Sequence, residues 1–212
     1  MTHHPTRSAP WRRRLAAGAI GLFALAVSIP VSAAPRDYRI DPEHASFGFL
    51  VSHIDYANVL GMFREVAGTF RFDEEAQAIS DVKITVKTAS VFTNHDKRDE
   101  HLRKEDFFWT DKYPEMTFTM VSAQKTGDRT GKMTGNLTLR GVTKPVTFDV
   151  TLNKTAEYPF GGGLFGRPNY VAGISARTTI RRSEWGMLYG TDNGWVGNDV
   201  QLIVEFEGIR QN

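Results

Sequence analysis

Apolar and polar residues alternate along most of the chain with a period of two. In a β-strand this period places every second side chain on the same face of the sheet. Turn-forming residues such as Gly127-Asp128 and Lys144-Pro145 separate the alternating segments. The pattern recurs in eight segments: residues 45–53, 68–72, 82–86, 116–120, 133–139, 146–152, 172–180 and 200–206. It predicts an all-β fold of eight antiparallel strands, arranged as a sandwich or a barrel.

The segment near residues 94–110 breaks this alternation and predicts one short helix. Asn94 or Asp96 can cap its N-terminus, and acidic residues follow where the helix dipole favours them. We expect the helix to end before the turn at Pro114, because proline does not continue a helix. A second, weaker helical turn is predicted over residues 53–62.

Three consecutive aromatic residues, Phe107, Phe108 and Trp109, follow the charged half of the helical segment. A surface loop rarely carries such a run, because exposing apolar rings to water is costly. Two interpretations remain open: the rings plug one end of a packed core, or the plug also covers a ligand cavity. The inward strand faces, rich in Phe and Met, allow either, since an eight-stranded barrel encloses side chains or one small ligand.

The first 33 residues are typical of a cleavable export signal. Three arginines, Arg12–Arg14, precede an apolar run over residues 15–31, and a small-residue cleavage site ends at Ala33. The run has 17 residues, whereas a membrane-spanning helix needs about 20, so we expect cleavage rather than a retained anchor. We therefore predict a signal over residues 1–33 and a single exported domain over residues 34–212, with no stable membrane span after cleavage.

The predicted export signal also changes the charge of the chain. It holds four of the 26 basic residues and none of the 24 acidic ones, so the formal net charge of +2 becomes −2 after cleavage. A slightly acidic protein lacks the electrostatic basis for binding nucleic acid. The sequence contains no cysteine, which excludes disulfides, thiolate metal ligands and thiol catalysis.

The histidines of the exported domain form no recognisable metal or catalytic motif. His95 and His101 are six residues apart and do not share a helical face. His44 and His53 lie at the two ends of one strand, about 30 Å apart. The sequence has no HExxH or GxSxG motif and no phosphate-binding loop. We therefore predict no metal site, no cofactor and no enzymatic activity, and we expect His101 to hold the helical segment by hydrogen bonding.

A motif of the form T…RDxHLRxxDFF…YPxxTF spans the helical segment and the strand after it. Its residues here are Thr93, Arg98, Asp99, His101, Leu102, Arg103, Asp106, Phe107, Phe108, Tyr113, Pro114, Thr117 and Phe118. Further motifs match in order at residues 38–44, 61–70, 135–146 and 182–186, the last with two conservative changes. On these motifs the chain resembles the family of periplasmic YceI-like polyisoprenoid-binding proteins. The resemblance covers roughly residues 38–206.

The resemblance implies a lipocalin-like barrel with a lipid-filled channel rather than a sandwich. It implies that ten residues line the channel: Phe47, Phe49, Phe70, Phe107, Met116, Phe118, Met120, Leu137, Phe148 and Trp185. Without the resemblance, a solid core is the preferred interpretation of the same phenylalanines.

The arginines near the predicted plug have two interpretations. The simpler one is that Arg98, Arg103 and Arg182 form structural ion pairs with Asp99 or Asp106. The other is that they clamp a quinone or phosphate head group at the mouth of the channel. The candidate head-group contacts are Arg98, His101 and Arg182.

The function implied by the resemblance is that of an exported, non-catalytic binding protein of the periplasm. Its expected ligand is an isoprenoid quinone or another long-chain amphiphile, held for transport, storage or an envelope stress response. Two alternatives remain open: a structural envelope protein with a filled barrel, and a periplasmic protein that contacts metal or haem through its histidines. Members of the family are often dimers, so a homodimer is a state to test, although nothing in the sequence shows one.

Overall fold

The computed structural model describes residues 1–3, 34–160 and 168–211. Nearly all of the predicted export signal, residues 1–33, lies outside the described residues, so the fold is that of the chain from residue 34 onward. Ten strands and one α-helix, α1 (Asp96–Leu102), make up most of this part. The strands are β1 (Arg36–His53), β2 (Ala57–Phe63), β3 (Val66–Asp73), β4 (Ala78–Lys87), β5 (Val91–Phe92), β6 (Glu115–Lys125), β7 (Thr130–Leu139), β8 (Val142–Glu157), β9 (Tyr170–Arg181) and β10 (Val196–Arg210).

Eight of these strands close into an antiparallel barrel. Neighbours pair in the order β1-β3-β4-β6-β7-β8-β9-β10, and β10 returns to β1. The closing ladder runs along nearly the whole of β1, from Tyr38 opposite Arg210 to His53 opposite Val196. Closure leaves no free edge within the ring. The predicted eight-stranded antiparallel barrel with one short helix is therefore confirmed.

The predicted helical turn over residues 53–62 is wrong, because this segment is a β-hairpin. Ile54 and Asp55 adopt positive φ angles, and the Tyr56 amide donates to the His53 carbonyl at 3.1 Å. The chain then returns as β2 beside residues 47–53 of β1, while β3 pairs with residues 36–39 of the same strand. We call the end of the barrel at residue 53 the upper end and the end at residue 36 the lower end. β2 and the two-residue β5 thus extend the barrel wall beyond the ring at one end.

The helix is shorter than predicted and is capped by a different residue. It ends at Leu102, because the side chain of Arg103 turns back to the carbonyls of Ala89 and Val91 and the chain continues in irregular turns. His95, in extended conformation, is the N-cap, and its Nδ1 accepts the amide of Arg98 at 3.3 Å. Asn94 lies one residue earlier at positive φ. No helix among the described residues is long and apolar enough to cross a membrane.

One end of the barrel is packed shut. The rings of Tyr38 and Phe70 stack with centroids 5.1 Å apart, and Phe206 meets Phe70 edge-on at 5.9 Å. The Tyr38 hydroxyl donates to Glu74 at 2.7 Å, and Arg210 donates to the same carboxylate at 3.0 Å. Burial, reinforced by the bond to Glu74, raises the pKa of Tyr38. These contacts close the lower end with both apolar packing and a satisfied polar network.

Candidate functional site

The other end of the barrel encloses an apolar cavity of about 500 Å³. Three of its lining residues, Ile54, Tyr189 and Trp195, are also exposed to solvent, so the cavity opens where they meet. We call this opening the mouth. It is bordered by the β1–β2 turn, by α1, and by the loop that joins β9 to β10.

Most residues predicted to contact a ligand do line this cavity. On its walls are Phe47, Phe49, Phe107, Met116, Phe118, Leu137 and Phe148. The three predicted head-group residues, Arg98, His101 and Arg182, also line it. Strands and the segment after α1 therefore bring ten of the thirteen predicted site residues to one cavity.

The remaining three predicted residues do not line the cavity. Phe70 lies in the packed lower end, against Tyr38. Trp185 is buried in the wall, where its indole N–H donates to the Leu137 carbonyl at 3.3 Å. Met120 is partly buried next to a register shift in the β6–β7 ladder. All three belong to the predicted inward or buried set, but none of them contributes to the lining of the cavity.

Glycines on neighbouring strands let the aromatic rings lie along the wall. A Cβ atom placed on Gly61 would come within 2.1 Å of the Phe49 ring, and one on Gly135 within 2.3 Å of the Phe118 ring. Each ring therefore covers the backbone of the opposing glycine, an arrangement seen in other β-proteins. Because the rings lie over the wall, they leave the centre of the barrel open.

The segment after α1 covers part of the cavity from above. Phe107 and Phe108 line the cavity, and Phe108 meets Phe63 of β2 edge-on at 5.3 Å. Arg140 holds the segment by donating to the Phe107 carbonyl at 2.5 Å. Phe107 and Phe108 are thus a plug that covers a cavity, whereas Trp109 packs against Tyr113 outside it; that the cavity holds a ligand stays a prediction.

The base of α1 is fixed by a buried carboxylate. Asp99 accepts hydrogen bonds from the Thr93 amide at 2.8 Å and from its hydroxyl at 2.5 Å. Arg98 donates to the Thr93 hydroxyl at 2.7 Å and to its carbonyl at 2.6 Å. The side chain of Arg98 is therefore oriented at the mouth while part of its guanidinium stays available to a ligand.

Arg182 is the most deeply buried cation of the site, with only 3% of its surface exposed. Its guanidinium donates four hydrogen bonds of 2.7–2.8 Å to the backbone carbonyls of Gly197, Met187, Tyr189 and Val196. Burial lowers its pKa, because desolvation disfavours the charged form. Arg182 thus ties together the loop between β9 and β10, and one of its five N–H groups remains for the cavity.

The predicted ion pairs of the three arginines are wrong. Among the described residues, no carboxylate lies within 4.0 Å of a guanidinium nitrogen of Arg98, Arg103 or Arg182. The two proposed partners are engaged elsewhere: Asp99 with Thr93, and Asp106 with His101 at 2.8 Å. Backbone carbonyls and a hydroxyl take their place, so the mouth carries cations that are not neutralised by direct contact.

His101 lies between the plug and the mouth. Its ring meets Phe107 edge-on at 5.0 Å and Tyr189 at 4.9 Å, while Nε2 bonds to Asp106. The bond to Asp106 agrees with the structural role predicted for this histidine. The ring also places an aromatic edge against the rim of the cavity.

A polar cluster that sequence analysis missed lies outside the cavity. Possible ligand atoms of Asp41, His44 and Glu207 lie within 4.8 Å of one another, a grouping that could hold a metal ion. Nδ1 of His44 bonds to Asp41 at 2.7 Å and lies 3.9 Å from Glu207. Glu207 lies beside Asp41 and His44 only because β1 pairs with β10, so no local spacing in the sequence reveals the cluster.

The pKa values of His44 and Asp41 are shifted in opposite directions. The hydrogen bond to Asp41 raises the pKa of His44. Partial burial acts to raise the pKa of Asp41, but the bonds from His44 and from the Glu43 amide outweigh it and the pKa is lowered. Both shifts favour the charged pair.

Comparison with known proteins identifies the family. A YceI-like domain model matches residues 38–208, and the chain belongs to this family. The chain is 42% identical over 182 residues to Protein YceI of Shigella flexneri, which covers 85% of this chain and 90% of that protein.

Solved structures share the fold. The crystal structure of the Campylobacter jejuni YCEI protein matches with a TM-score of 0.67 and 33% identity, over 76% of this chain and 90% of that one. A polyisoprenoid binding domain from Saccharophagus degradans matches with a TM-score of 0.59 over 82% of this chain and 98% of that one. At 14% identity, the second likeness concerns the fold alone.

Proposed function

We propose that this protein is a non-catalytic carrier that holds one long-chain amphiphile, with an isoprenoid tail in the barrel and the head group at the mouth. The observation that supports the proposal best is the cavity of about 500 Å³, whose walls are apolar and whose cations lie at one end. A tail would leave water for these walls, and each buried methylene contributes about 0.8 kcal/mol. Membership of the YceI-like family and its fold, shared with a polyisoprenoid-binding domain, support an isoprenoid ligand.

The size of the cavity sets the length of tail that it accepts. A protein cavity of about 150 Å³ takes one benzene molecule, so 500 Å³ gives room for roughly 20 carbon atoms. The packed lower end, with Tyr38 stacked on Phe70, stops the tail there. A longer chain would have to leave part of its tail at the mouth or open the lower end.

The polar groups at the mouth fit a binding role. Arg182 is held by backbone carbonyls and His101 by Asp106, so both side chains have fixed positions beside the cavity. Arg98 and the remaining N–H of Arg182 are hydrogen-bond donors, so the favoured head group carries acceptors, such as a quinone carbonyl or a phosphate. We place the carrier in the periplasm, after removal of the predicted signal.

The proposal is tested by extracting the purified protein with organic solvent and analysing the extract by mass spectrometry. We expect about one long-chain amphiphile per chain. Delipidated protein is then titrated with single-tailed isoprenoid alcohols of increasing length, and affinity should rise up to roughly 20 carbons and then level off. A clean extract together with an affinity that does not depend on tail length would leave a filled, structural barrel as the better explanation.

A further inference from the structure

An unusually exposed apolar surface surrounds the mouth. It is formed by the β1–β2 turn and the loop that joins β9 to β10, and we call it the rim. Its members are Ile54, Tyr56, Leu188, Tyr189 and Trp195. Tyr56 is 90% exposed, Leu188 61% and Trp195 51%. Contiguous exposed apolar groups of this kind mark interaction surfaces rather than ordinary solvent-facing positions.

The two segments of the rim form one surface. The Ile54 amide donates to the Trp195 carbonyl at 3.1 Å, which joins the turn to the loop. The rings of Tyr189 and Trp195 lie 6.4 Å apart. The four carbonyl bonds of Arg182 fix the same loop from inside. The rim is therefore held in place from both sides and presented around the opening.

The rim is continuous with the cavity. Ile54, Tyr189 and Trp195 line the cavity and are exposed at the same time. Whatever covers the rim consequently also closes the mouth. An apolar tail that moves between the cavity and its surroundings would avoid water only if the covering phase were itself apolar at that point.

The chemistry of the rim favours a bilayer over a charged partner. Tyr and Trp have an apolar body and a polar tip, and they concentrate at the interface between lipid and water. Charges of both signs border the rim: Asp55 and Asp192 lie in its two segments, and Lys97 and Arg98 lie on the adjacent α1. A mixed border gives no strong field for a polyanion or an acidic protein, whereas a bilayer without net charge does not require one.

We propose that the rim docks on the surface of a lipid bilayer and that the tail passes through the mouth while it is docked. The inference rests on the proposed carrier function and adds the membrane as the place of loading and release. Tyr56, Leu188 and Trp195 would enter the interfacial layer, and the binding would depend on apolar contact more than on charge. Weak, reversible association is expected, since only a few side chains insert.

The test uses flotation of the purified protein with phosphatidylcholine vesicles. The variant Tyr56→Ser/Leu188→Ser removes two exposed rim side chains that do not line the cavity. We expect it to lower the partition coefficient by about tenfold or more. The matched control is Val121→Ser, which removes an apolar side chain of similar exposure, 65%, from β6 on the barrel wall. It should change partitioning by less than about twofold.

Two further measurements distinguish docking on the bilayer from ligand binding in the cavity. Raising the salt concentration from about 0.05 to about 0.5 M should leave flotation of the wild type nearly unchanged, because apolar contacts are not screened. In solution, without vesicles, the double variant should bind a solubilised isoprenoid alcohol as tightly as the wild type. Its transfer of that ligand from vesicles should be slower, and this combination supports the proposal.

Other outcomes overturn it. Equal flotation of the double variant and the wild type would refute docking through the rim. A wild type that binds the alcohol in solution but never floats would also refute it, and a protein partner would then cover the rim. Binding restricted to anionic vesicles and abolished by salt would place the contact on a charged surface elsewhere. Failure of the wild type to bind the alcohol at all would instead count against the proposed function.

Discussion

The pairing of Phe49 with Gly61 offers a direct way to narrow the cavity from inside. In Gly61→Ala the new methyl group would lie 2.1–2.7 Å from three atoms of the Phe49 ring. Ordinary contact between carbon atoms requires about 3.5–4.0 Å, so the ring has to move by more than 1 Å. The wall blocks movement outward, and we expect the ring to swing into the lumen.

The magnitude follows from the volume of the ring. A benzene-sized group fills about 150 Å³, close to a third of the cavity of about 500 Å³. A partial swing that displaces two to three methylenes of tail would cost about 2 kcal/mol of binding, or about 30-fold in affinity. Overpacking should destabilise the fold by about 1–3 kcal/mol, offset by about 0.4–1 kcal/mol from the stiffer unfolded chain.

The assay is a titration of delipidated protein with isoprenoid alcohols of different length, combined with denaturant unfolding. Tails of every length should lose affinity, because Phe49 lies toward the mouth end of β1 and packs on Phe63, which contacts Phe108 of the plug. Gly173→Ala is the matched control: its methyl group would approach nothing closer than 3.8 Å, so binding should be unchanged. Undiminished affinity of Gly61→Ala for long tails would refute the argument that the glycine holds the lumen open.

Two further predictions concern polar groups. Arg182→Met removes the donor to four backbone carbonyls, one buried and three partly buried, and should lower the free energy of unfolding by about 3–5 kcal/mol. Arg182→Lys, with its compact ammonium, should recover little of the loss, and a recovery of more than half would show that charge rather than geometry matters. His44→Ala should lower the melting temperature most between about pH 4 and 6.5. The raised pKa of His44 makes its contribution full below 6.5 and lost as the pH rises through that raised pKa, while the lowered pKa of Asp41 makes its contribution full above 3.8. A difference in melting temperature that stays the same when the pH is raised well above 6.5 would contradict the ion pair.

Alternation along the chain was enough to predict the eight strands of the ring. In a closed barrel every strand has one face inside and one outside, so the period of two persists along each strand. The sequence did not predict the hairpin between β1 and β2, because its turn lacks the Asn-Gly or Asp-Gly pair that usually marks such a turn. Positive φ falls on Ile54 and Asp55, whereas a sequence signal would have been Asn or Gly. Isoleucine rarely adopts a positive φ angle, so the sequence gives no signal for a turn at this position.

Alternation gives the face of a residue but not its height in the barrel. Phe70 and Phe118 both point inward from strands, yet Phe70 belongs to the packed end and Phe118 to the cavity. The difference depends on register, stagger and the partner strand, which emerge only when the ring closes. The family motif helped because it marks α1 and the plug, which lie at one end only.

Arg182 shows a second limit of sequence analysis. From the sequence, an ion pair with Asp99 or Asp106 was the simplest expectation for this arginine. The structure instead supplies four carbonyls from residues 187–197, because the loop folds around the guanidinium. Backbone acceptors are present at every position of a sequence, so no pattern of residue types reveals which of them converge.

A cavity of this size also bears on the stability of the empty protein. Voids left by core truncations cost about 24 cal/mol per Å³, which for 500 Å³ amounts to an upper bound of about 12 kcal/mol. Typical domains are stable by only 5–15 kcal/mol in total. Water entering through the mouth reduces the cost but cannot satisfy apolar walls. The packed lower end, with its Tyr38–Glu74–Arg210 network, supplies contacts that the cavity lacks. In the proposed carrier, a bound tail would restore the missing contacts, so ligand binding and stability of the barrel would be coupled by the same apolar surface.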